Sequence, residues 1–305
     1  MTLDDRTWRH LTDARVFDPA SIGAAYARRP RRASLTTDGM MFIVAADHTA
    51  RGAVALGNDA RAMADRRSMI DRLLVALAHP RVDGVLASAD IMDDLVLLGA
   101  LDDRIAVGTM NRGGLAGSAW ELDDRFTAYD TAHLRAAGLD AGKMLLRIDD
   151  DDRDCNRTIY ECSRAVQDLN DAQMMAMVEP IPYTRDASGK RMWDPNPDKL
   201  VRAIGVAAGL AGSSAYTWLK IQATADIPAV AAMTSQPLLI LGGAPGPDPD
   251  ATFASWETAL REPTVRGLVI GRSLLYPADG DVAGAVARAA DMVSAAAAER
   301  GAARS

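Results

Sequence analysis

The chain has 305 residues, 49% of them hydrophobic, and a formal net charge of −7. It can bury one barrel-sized core or two smaller ones, and its acidic balance disfavours non-specific binding to nucleic acid. No apolar run is long enough for a membrane span, and no signal peptide follows Met1. Cys155 and Cys162 do not have the spacing of a disulfide scaffold or a CxxC motif, so we expect reduced thiols in a cytoplasmic protein.

From residue 41 onward, short apolar runs alternate with amphipathic, helix-like stretches, which is typical of parallel βα units. Eight strands are predicted, over residues 41–46, 84–87, 105–108, 143–148, 174–178, 217–221, 238–241 and 268–270. Predicted helices include residues 60–78, 127–137, 156–170, 197–211, 251–261 and 282–298. This order predicts a (β/α)8 TIM barrel over residues 41–298, with a short helical N-terminal extension over 1–40 and a disordered tail over 299–305.

The same alternation would also fit an open, doubly wound sheet. No GxGxxG motif follows the first predicted strand, however. Glycines instead follow the seventh and eighth strands, as Gly242-Gly243 and Gly271-Arg272, where many barrels bind a phosphate group. The position of these glycines favours the barrel.

The N-terminal extension contains helix-like pieces over 4–14 and 19–27, followed by a basic stretch made of Arg28, Arg29, Arg31 and Arg32. Runs of like charge usually lie in solvent, so we expect a solvated or subunit-facing surface. The alternative is that these arginines reach a substrate phosphate from outside the barrel. The extension and the alanine-rich last helix lead us to expect a homo-oligomer.

Lys220 is the only charged residue in an otherwise largely apolar run, residues 216–222, that is predicted to be a buried strand. A buried ammonium group is costly. Either the charge reaches solvent at the strand end, or burial lowers the pKa of Lys220 and makes the amine a nucleophile. Because side chains alternate along a strand, Lys220 shares a face with Trp218 and Gln222, and we expect that face to point into the barrel.

Polar side chains lie in or directly after the neighbouring apolar runs, and the carboxyl ends of barrel strands meet on one face. Glu179 closes the predicted strand before that of Lys220. A carboxylate beside an amine can shuttle protons, or the two can form a structural ion pair; the residue pattern leaves both open. The predicted strand-end group comprises Asp47, His48, Lys143, Arg147 and Glu179.

Neither histidines nor acidic residues predict a metal site. A zinc-dependent enzyme would need several histidines converging on one ion, and of the four histidines only His48 follows a predicted strand. Asp149 to Asp152, with Asp154, form an acidic cluster after the fourth strand. Such carboxylates can bind magnesium or calcium, but the spacing matches no EF-hand, so we expect a solvated loop. No metal and no organic cofactor is expected.

The order of the motifs along the chain resembles that of class I, Schiff-base aldolases. The resemblance covers roughly residues 40–290. It is nearest to the branch of tagatose-bisphosphate and sulfofructose-phosphate aldolases, with deoxyribose-phosphate and archaeal-type fructose-bisphosphate aldolases further away. The matching motifs are Asp47…Arg51-Gly52, Gly142-Lys143-Met144-Leu145-Leu146, Val178-Glu179-Pro180, Leu219-Lys220, Gly242-Gly243 and Gly271-Arg272.

The resemblance implies a class I aldolase that cleaves a carbon–carbon bond of a phosphorylated ketose or keto-sugar acid. It implies that Lys220 forms the Schiff base, Glu179 shuttles protons, Lys143 lies near the reacting hydroxyl or the phosphate, and Asp47 orients substrate hydroxyls. Gly243 and Arg272 match phosphate-binding turns. The further predicted substrate-binding residues are His48, Arg147, Gly242 and Gly271.

Three departures from the family pattern affect the substrate more than the reaction. His48 stands where tagatose-type enzymes typically have glutamine, the loop over 242–250 is rich in proline, and residues 109–124 have no counterpart that we can assign. A subgroup of such proteins is associated with inositol catabolism, which makes a deoxy-keto-gluconate phosphate a possible substrate. Transaldolase-type transfer on the same lysine, and a catalytically silent phosphosugar-binding barrel, are the alternative functions.

Overall fold

Eight parallel strands close into a barrel in the computed structural model, which describes residues 3–115, 117–187, 189, 191–243, 245–246 and 248–302. The strands are β1 (Met41–Ala46), β2 (Gly84–Ala87), β3 (Ile105–Thr109), β4 (Ala141–Asp149), β5 (Met175–Arg185), β6 (Arg191–Trp193), β7 (Thr217–Gln222), β8 (Leu238–Leu241) and β9 (Val265–Ile270). Around the barrel the order is β1-β2-β3-β4-β5-β7-β8-β9, and β9 pairs again with β1. The (β/α)8 prediction is therefore confirmed.

Helices surround the barrel, and aspartate caps fix where several of them begin. Asp65 accepts a hydrogen bond from the backbone N–H of Ser68, and Asp130 accepts one from that of His133. The predicted helices over 60–78 and 127–137 therefore start too early, because an N-cap carboxylate marks the first turn. The helices are α1 (Asp5–Phe17), α2 (Ala20–Arg28), α3 (Arg66–Leu77), α4 (Ala89–Leu97), α5 (Thr131–Ala136), α6 (Cys155–Asp171), α7 (Pro197–Ala208), α8 (Ile227–Ala231), α9 (Pro249–Leu260), α10 (Arg272–Leu275) and α11 (Val282–Ala302).

The last helix, α11, extends further than its sequence pattern predicts. It continues to Ala302, so residues 299–302, assigned above to a disordered tail, are helical, and 303–305 lie outside the described residues. The four alanines at 295–298, directly before these residues, favour helix strongly, and Arg300 Nη2 donates to the carbonyls of Leu260 and Glu262. Within the described part of the chain, no helix is both long and apolar enough to cross a membrane.

The hydrophobic core has two layers, as alternation along the strands requires. A small cluster fills the barrel interior and includes Met41 and Ile43 of β1 and Met175 and Met177 of β5, with Trp218 packed against it. A much larger cluster lies between the outer strand faces and the helices. The inward parity predicted for the strands of Lys220 and Glu179 is therefore the parity observed.

Strand β5 is longer than predicted and supports a hairpin above the barrel. Pro180 and Pro182 do not start a loop, because β5 continues beside β4 as far as the pairing of Asp149 with Tyr183. Its last residues then pair antiparallel with β6. The hairpin brings Tyr183 and Trp193 over the carboxyl ends of the strands.

The basic stretch after α2 closes the opposite end of the barrel. Arg29 is buried and donates to the backbone carbonyls of Leu101, Arg104 and Gly138, at the entries to β3 and β4. Arg31 pairs with Asp140 at 2.9 Å. The prediction of a solvated surface is wrong for Arg29, and the alternative of a phosphate contact is wrong too, because these contacts lie at the amino ends of the strands.

Arg32 completes this closure through Asp83, which directly precedes β2. Arg32 Nη1 lies 2.6 Å from Asp83 Oδ1, and Arg81 Nη1 lies 2.8 Å from Asp83 Oδ2. Asp83 also accepts the backbone N–H of Phe42 in β1. A carboxylate at the start of one strand thus anchors both the extension and the neighbouring strand.

Candidate active site

The carboxyl ends of the strands surround a cavity of about 400 Å³. Most of the residues predicted for the site line it: Asp47, His48, Lys143, Glu179, Lys220, Gly243 and Arg272. The lining also includes Tyr183. The remaining lining residues are ones for which the sequence predicted no site role, namely Arg51, Ala53, Arg112, Leu145, Ile181, Trp193, Gln222 and Leu241. Parallel strands whose polar residues end apolar runs therefore converge as the barrel prediction requires.

Glu179 lies between the two buried lysines of the cavity. Its Oε2 is 3.2 Å from Lys220 Nζ and also contacts Lys143 Nζ. All three side chains are almost completely buried, with Lys220 only 5% exposed. Strands β4, β5 and β7 are neighbours in the barrel, so one carboxylate on the middle strand reaches an amine on each side.

Burial lowers the pKa of Lys220 below that of an ordinary lysine, although the Glu179 carboxylate opposes the shift. Burial also lowers the pKa of Lys143, with Glu179 again opposing. For Glu179, burial alone would raise the pKa, but the charges of Lys143 and Lys220 outweigh it and hold the pKa below the usual range. The carboxylate is therefore ionised, and the amine of Lys220 is easier to deprotonate than a lysine in water.

Asp47 forms the other acidic point of the cavity, at the end of β1. It contacts the guanidinium group of Arg112 and lies 3.6 Å from Lys143 Nζ. Arg112 also donates from Nε to Thr109 Oγ1 at 2.9 Å. Asp47, Lys143, Glu179 and Lys220 therefore form a continuous chain of alternating acidic and basic groups across the floor of the cavity.

His48 is kept neutral by its surroundings. Burial lowers the pKa of His48 first, and the charges of Arg272, Lys220 and Lys143 lower it further. A neutral imidazole can donate one hydrogen bond and accept another. The backbone of β9 approaches closely here, since a Cβ atom on Gly271 would lie 2.7 Å from His48 Cε1 and 2.4 Å from the carbonyl oxygen of Ala45. Gly271 is thus needed for packing rather than as a lining residue.

Gly242 and Gly243 have different roles. A Cβ atom on Gly242 would lie 2.7 Å from Ile270 Cγ2, so Gly242 permits close packing of β8 against β9. Gly243 has a φ of +65°, which favours glycine, and lines the cavity beside Gln222. Of the two predicted phosphate-site glycines after β8, the structure brings only Gly243 to the cavity lining.

Arg147 does not face the cavity, in contrast to its prediction as a substrate-binding residue. Its Nε and Nη2 donate to the two carboxylate oxygens of Asp124 at 2.7 and 2.6 Å, and both side chains are buried. Its guanidinium group also lies 5.6 Å from the ring centroid of Tyr183. A bidentate ion pair of this kind engages Nε and Nη2 within the protein, and Arg147 therefore fixes the loop after β3.

The segment 109–124, for which the sequence offered no counterpart, is the source of Arg112. Asn111 anchors it to β4, because its side-chain amide donates to the carbonyl of Leu145 and accepts the backbone N–H of Leu145, both at 2.7 Å. This side chain extends the β3–β4 ladder beyond Thr109. An arginine three residues after the end of β3 was the available signal in the sequence, but only the Asn111 contact turns it inward.

The acidic cluster after β4 holds the β5–β6 hairpin and α7. Asp149 Oδ2 lies 3.2 Å from Arg185 Nη2 and 3.6 Å from Arg191 Nε, and Asp150 pairs with Lys199 and Arg202. The expectation of a purely solvated loop is wrong for Asp149, which is buried. Across the described part of the chain, no group of three or more histidine, cysteine, aspartate or glutamate side chains is placed to hold a metal ion.

The barrel is similar in fold to solved aldolase structures. An archaeal fructose 1,6-bisphosphate aldolase has 17% sequence identity and a TM-score of 0.63, covering 90% of this chain and 99% of that one. A fructose-bisphosphate aldolase from Slackia heliotrinireducens has 13% identity and a TM-score of 0.59, covering 92% of both chains. At these identities the likeness establishes a shared fold.

The family assignment rests on nearer matches. The Cgl0159-like family model matches residues 39–290, and the chain belongs to that family. The crystal structure of Cgl0159 from Corynebacterium glutamicum has 44% identity and a TM-score of 0.93, covering 96% of this chain and 98% of that one. The search of curated proteins gave no match.

Proposed function

We propose that the protein is a class I aldolase in which Lys220 forms a Schiff base with a ketone. The observation that carries the proposal is the position of its amine, which lies buried at the cavity floor, 3.2 Å from Glu179. A lowered pKa at Lys220 and an adjacent carboxylate are what a lysine nucleophile requires. A similar archaeal barrel is described with its catalytic lysine covalently bound to a carbinolamine intermediate.

The reaction would begin when the neutral Lys220 amine attacks the carbonyl carbon of the substrate. Proton transfer gives a carbinolamine, and loss of water gives a protonated imine, which serves as an electron sink. Glu179 is the base positioned to accept the hydroxyl proton from the carbon to be released. The carbon–carbon bond then breaks and the aldehyde leaves. The electron pair of the broken bond moves into the imine and forms an enamine on Lys220. Protonation of the enamine and hydrolysis of the imine free the second product and regenerate the amine.

Lys143 and Asp47 would position the groups that react. Lys143 contacts Glu179 and keeps its carboxylate ionised between proton transfers. Asp47 faces the same cavity and would accept a hydrogen bond from a substrate hydroxyl, while Arg112 holds the carboxylate in place. Neutral His48 is placed to donate to or accept from another hydroxyl.

Arg272 and Gly243 support a phosphorylated substrate. Both line the cavity, at the ends of β9 and β8. In TIM barrels, phosphate groups often bind at this part of the rim. Within the proposal the substrate is a phosphorylated ketose or keto-sugar acid, with a deoxy-keto-gluconate phosphate as the specific compound to test first. A closer relation to the tagatose-bisphosphate and sulfofructose-phosphate branch is part of the same proposal.

Borohydride trapping tests this function directly. The protein is incubated with phosphorylated ketoses, reduced with sodium borohydride, and digested for mass spectrometry. We expect an adduct on the peptide that contains Lys220, and none on that peptide in Lys220→Met. Lys199→Met, which changes a lysine on α7 outside the cavity, is the matched control and should trap normally. Absence of an adduct on Lys220 with every carbonyl compound would refute the proposal and favour a silent sugar-binding barrel.

The same preparation distinguishes cleavage from transfer. Class I cleavage releases the aldehyde product from substrate alone, whereas transaldolase-type transfer needs an acceptor aldehyde for turnover. Product release is therefore measured with and without an added acceptor. Turnover without acceptor supports the aldolase, and turnover only with acceptor would contradict it.

A further inference from the structure

Two guanidinium groups at the cavity wall have no carboxylate partner among the residues that the structure describes. Arg51 ends a short 3-10 turn after β1, and Arg272 begins α10 directly after β9. Strands β1 and β9 are paired, so these two residues lie on the same side of the cavity, and both line it. Neither forms an ion pair within the described residues, and Arg272 Nε is buried without a hydrogen-bond partner.

The other cations of the cavity each contact a carboxylate. Arg112 pairs with Asp47, and both Lys143 and Lys220 contact Glu179. Arg51 and Arg272 are the cations of the lining without such a contact among the described residues. Five cations of the lining share two carboxylates, so the cavity wall carries more positive than negative charge.

Placing two like charges near each other inside a cavity is unfavourable. The pKa of Arg272 is lowered by burial first and by the charge of Arg51 next, and the Glu179 carboxylate opposes this shift. An anion that contacts both guanidinium groups would offset the repulsion between them, and a phosphoryl group carries about two negative charges and three acceptor oxygens that suit the forked donors of arginine. The part of the cavity that both arginines line is therefore suited to bind an anion.

We propose that a phosphoryl group of the substrate is held between Arg51 and Arg272, with Arg51 as a second phosphate ligand. The proposed phosphoryl site rests on the proposed function, which makes this cavity the active site. It adds Arg51 as a phosphate-binding residue and gives the orientation of the substrate. The phosphoryl end lies on the β1–β9 side, and the opposite end of the substrate meets the wall made by Ile181, Tyr183 and Trp193 near β5.

A ligand that contains the phosphoryl group but no carbonyl tests the site without any chemistry at Lys220. Binding of sn-glycerol 3-phosphate is measured by titration calorimetry for the wild type, Arg51→Gln and Arg272→Gln. We expect each variant to bind at least about 10-fold more weakly, as loss of a charge-assisted hydrogen bond implies. Arg61→Gln, which changes an exposed arginine outside the cavity, should bind like the wild type.

Three results would overturn the proposal: no binding by the wild type, unchanged affinity in Arg51→Gln, or the same loss in Arg61→Gln. The outcome is independent of the Schiff base, because glycerol phosphate cannot form one. Failure to trap any carbonyl compound on Lys220 would therefore refute the proposed aldolase while leaving the phosphoryl site to be judged by calorimetry.

Trapping with a matched pair of ketones provides the second measurement. Dihydroxyacetone phosphate and dihydroxyacetone differ only in the phosphoryl group. In Arg51→Gln we expect the half-saturating concentration of the phosphate to rise at least about 10-fold, while trapping of dihydroxyacetone stays unchanged. An equal change for both ketones would show that Arg51 acts on the cavity structure, and would contradict phosphoryl binding.

Discussion

The two ends of the barrel use arginine in opposite ways. At the amino ends of the strands, Arg29 donates to three backbone carbonyls and Arg32 pairs with Asp83. At the carboxyl ends, Arg51 and Arg272 line a cavity and have no carboxylate partner among the described residues. The amino end is a closed network, whereas the carboxyl end keeps charge available for a ligand.

This difference separates stability from function within one fold. A buried cation with several acceptors around it, such as Arg29, holds structural elements together, and its loss leaves those acceptors unsatisfied. A buried cation without a carboxylate partner is unfavourable in the free protein and becomes favourable when an anion binds. The contrast explains why the same residue type is expected to respond to mutation to different extents at the two ends.

The largest expected effect is at the closed end. Arg29→Met should lower the free energy of unfolding by about 3 to 5 kcal/mol, because it leaves buried carbonyls without donors. Arg272→Met should change it by no more than about 1 kcal/mol, since no partner is lost. Urea denaturation measures both. Arg29→Lys keeps a charge with fewer donors, so its loss of unfolding free energy should be intermediate. It replaces Arg29→Met in the comparison if that variant does not fold. Equal destabilisation of Arg29→Met and Arg272→Met would contradict the comparison.

Sequence pattern predicts the barrel well because its signal is periodic. The runs at 41–46, 84–87 and 238–241 have the bounds of β1, β2 and β8, since apolar segments between turn residues specify parallel strands directly. The extension of β5 through Pro180 and Pro182 is not predictable in this way. Proline lacks a backbone donor, and only the pairing of β5 with β4 and β6 shows that the strand continues.

The site is predictable where a side chain lies on a strand and not where a loop decides its direction. Lys143, Glu179 and Lys220 follow from alternation along β4, β5 and β7. Arg147 has the same inward-facing parity as Lys143, but Asp124, 23 residues earlier in sequence, removes it from the cavity. Conversely, Arg112 enters because Asn111 binds β4. Both outcomes depend on long-range hydrogen bonds, which a single sequence does not reveal.

A pH titration of individual lysines sharpens the contrast within the carboxyl end. Reductive methylation followed by peptide mass spectrometry should show Lys220 reacting at lower pH than Lys199. Burial lowers the pKa of Lys220, so its neutral amine appears earlier as pH rises. The hydrogen bond and charge of Asp150 raise the pKa of Lys199, so its neutral amine appears later.

In Glu179→Gln the midpoint for Lys220 should move to still lower pH, because the carboxylate that raises its pKa is gone. The midpoint for Lys199 should stay in place and serves as the internal control. If Lys220 reacted at the same pH as Lys199, or if its midpoint rose in Glu179→Gln, the proposal that burial activates the Lys220 amine would be wrong.

The smallest expected effect tests whether burial, rather than the number of ion pairs, distinguishes the closed end. Arg29 and Arg31 both pair with Asp140, but the side chain of Arg29 is fully buried and that of Arg31 is 52% exposed. Arg31→Gln should therefore cost less than about 1 kcal/mol by urea denaturation, as exposed pairs usually do. Asp140 also accepts the backbone N–H of Ala106, so its carboxylate stays ordered when Arg31 is removed. A cost close to that of Arg29→Met would mean that Asp140 itself controls the closure, and that exposure does not separate the two arginines.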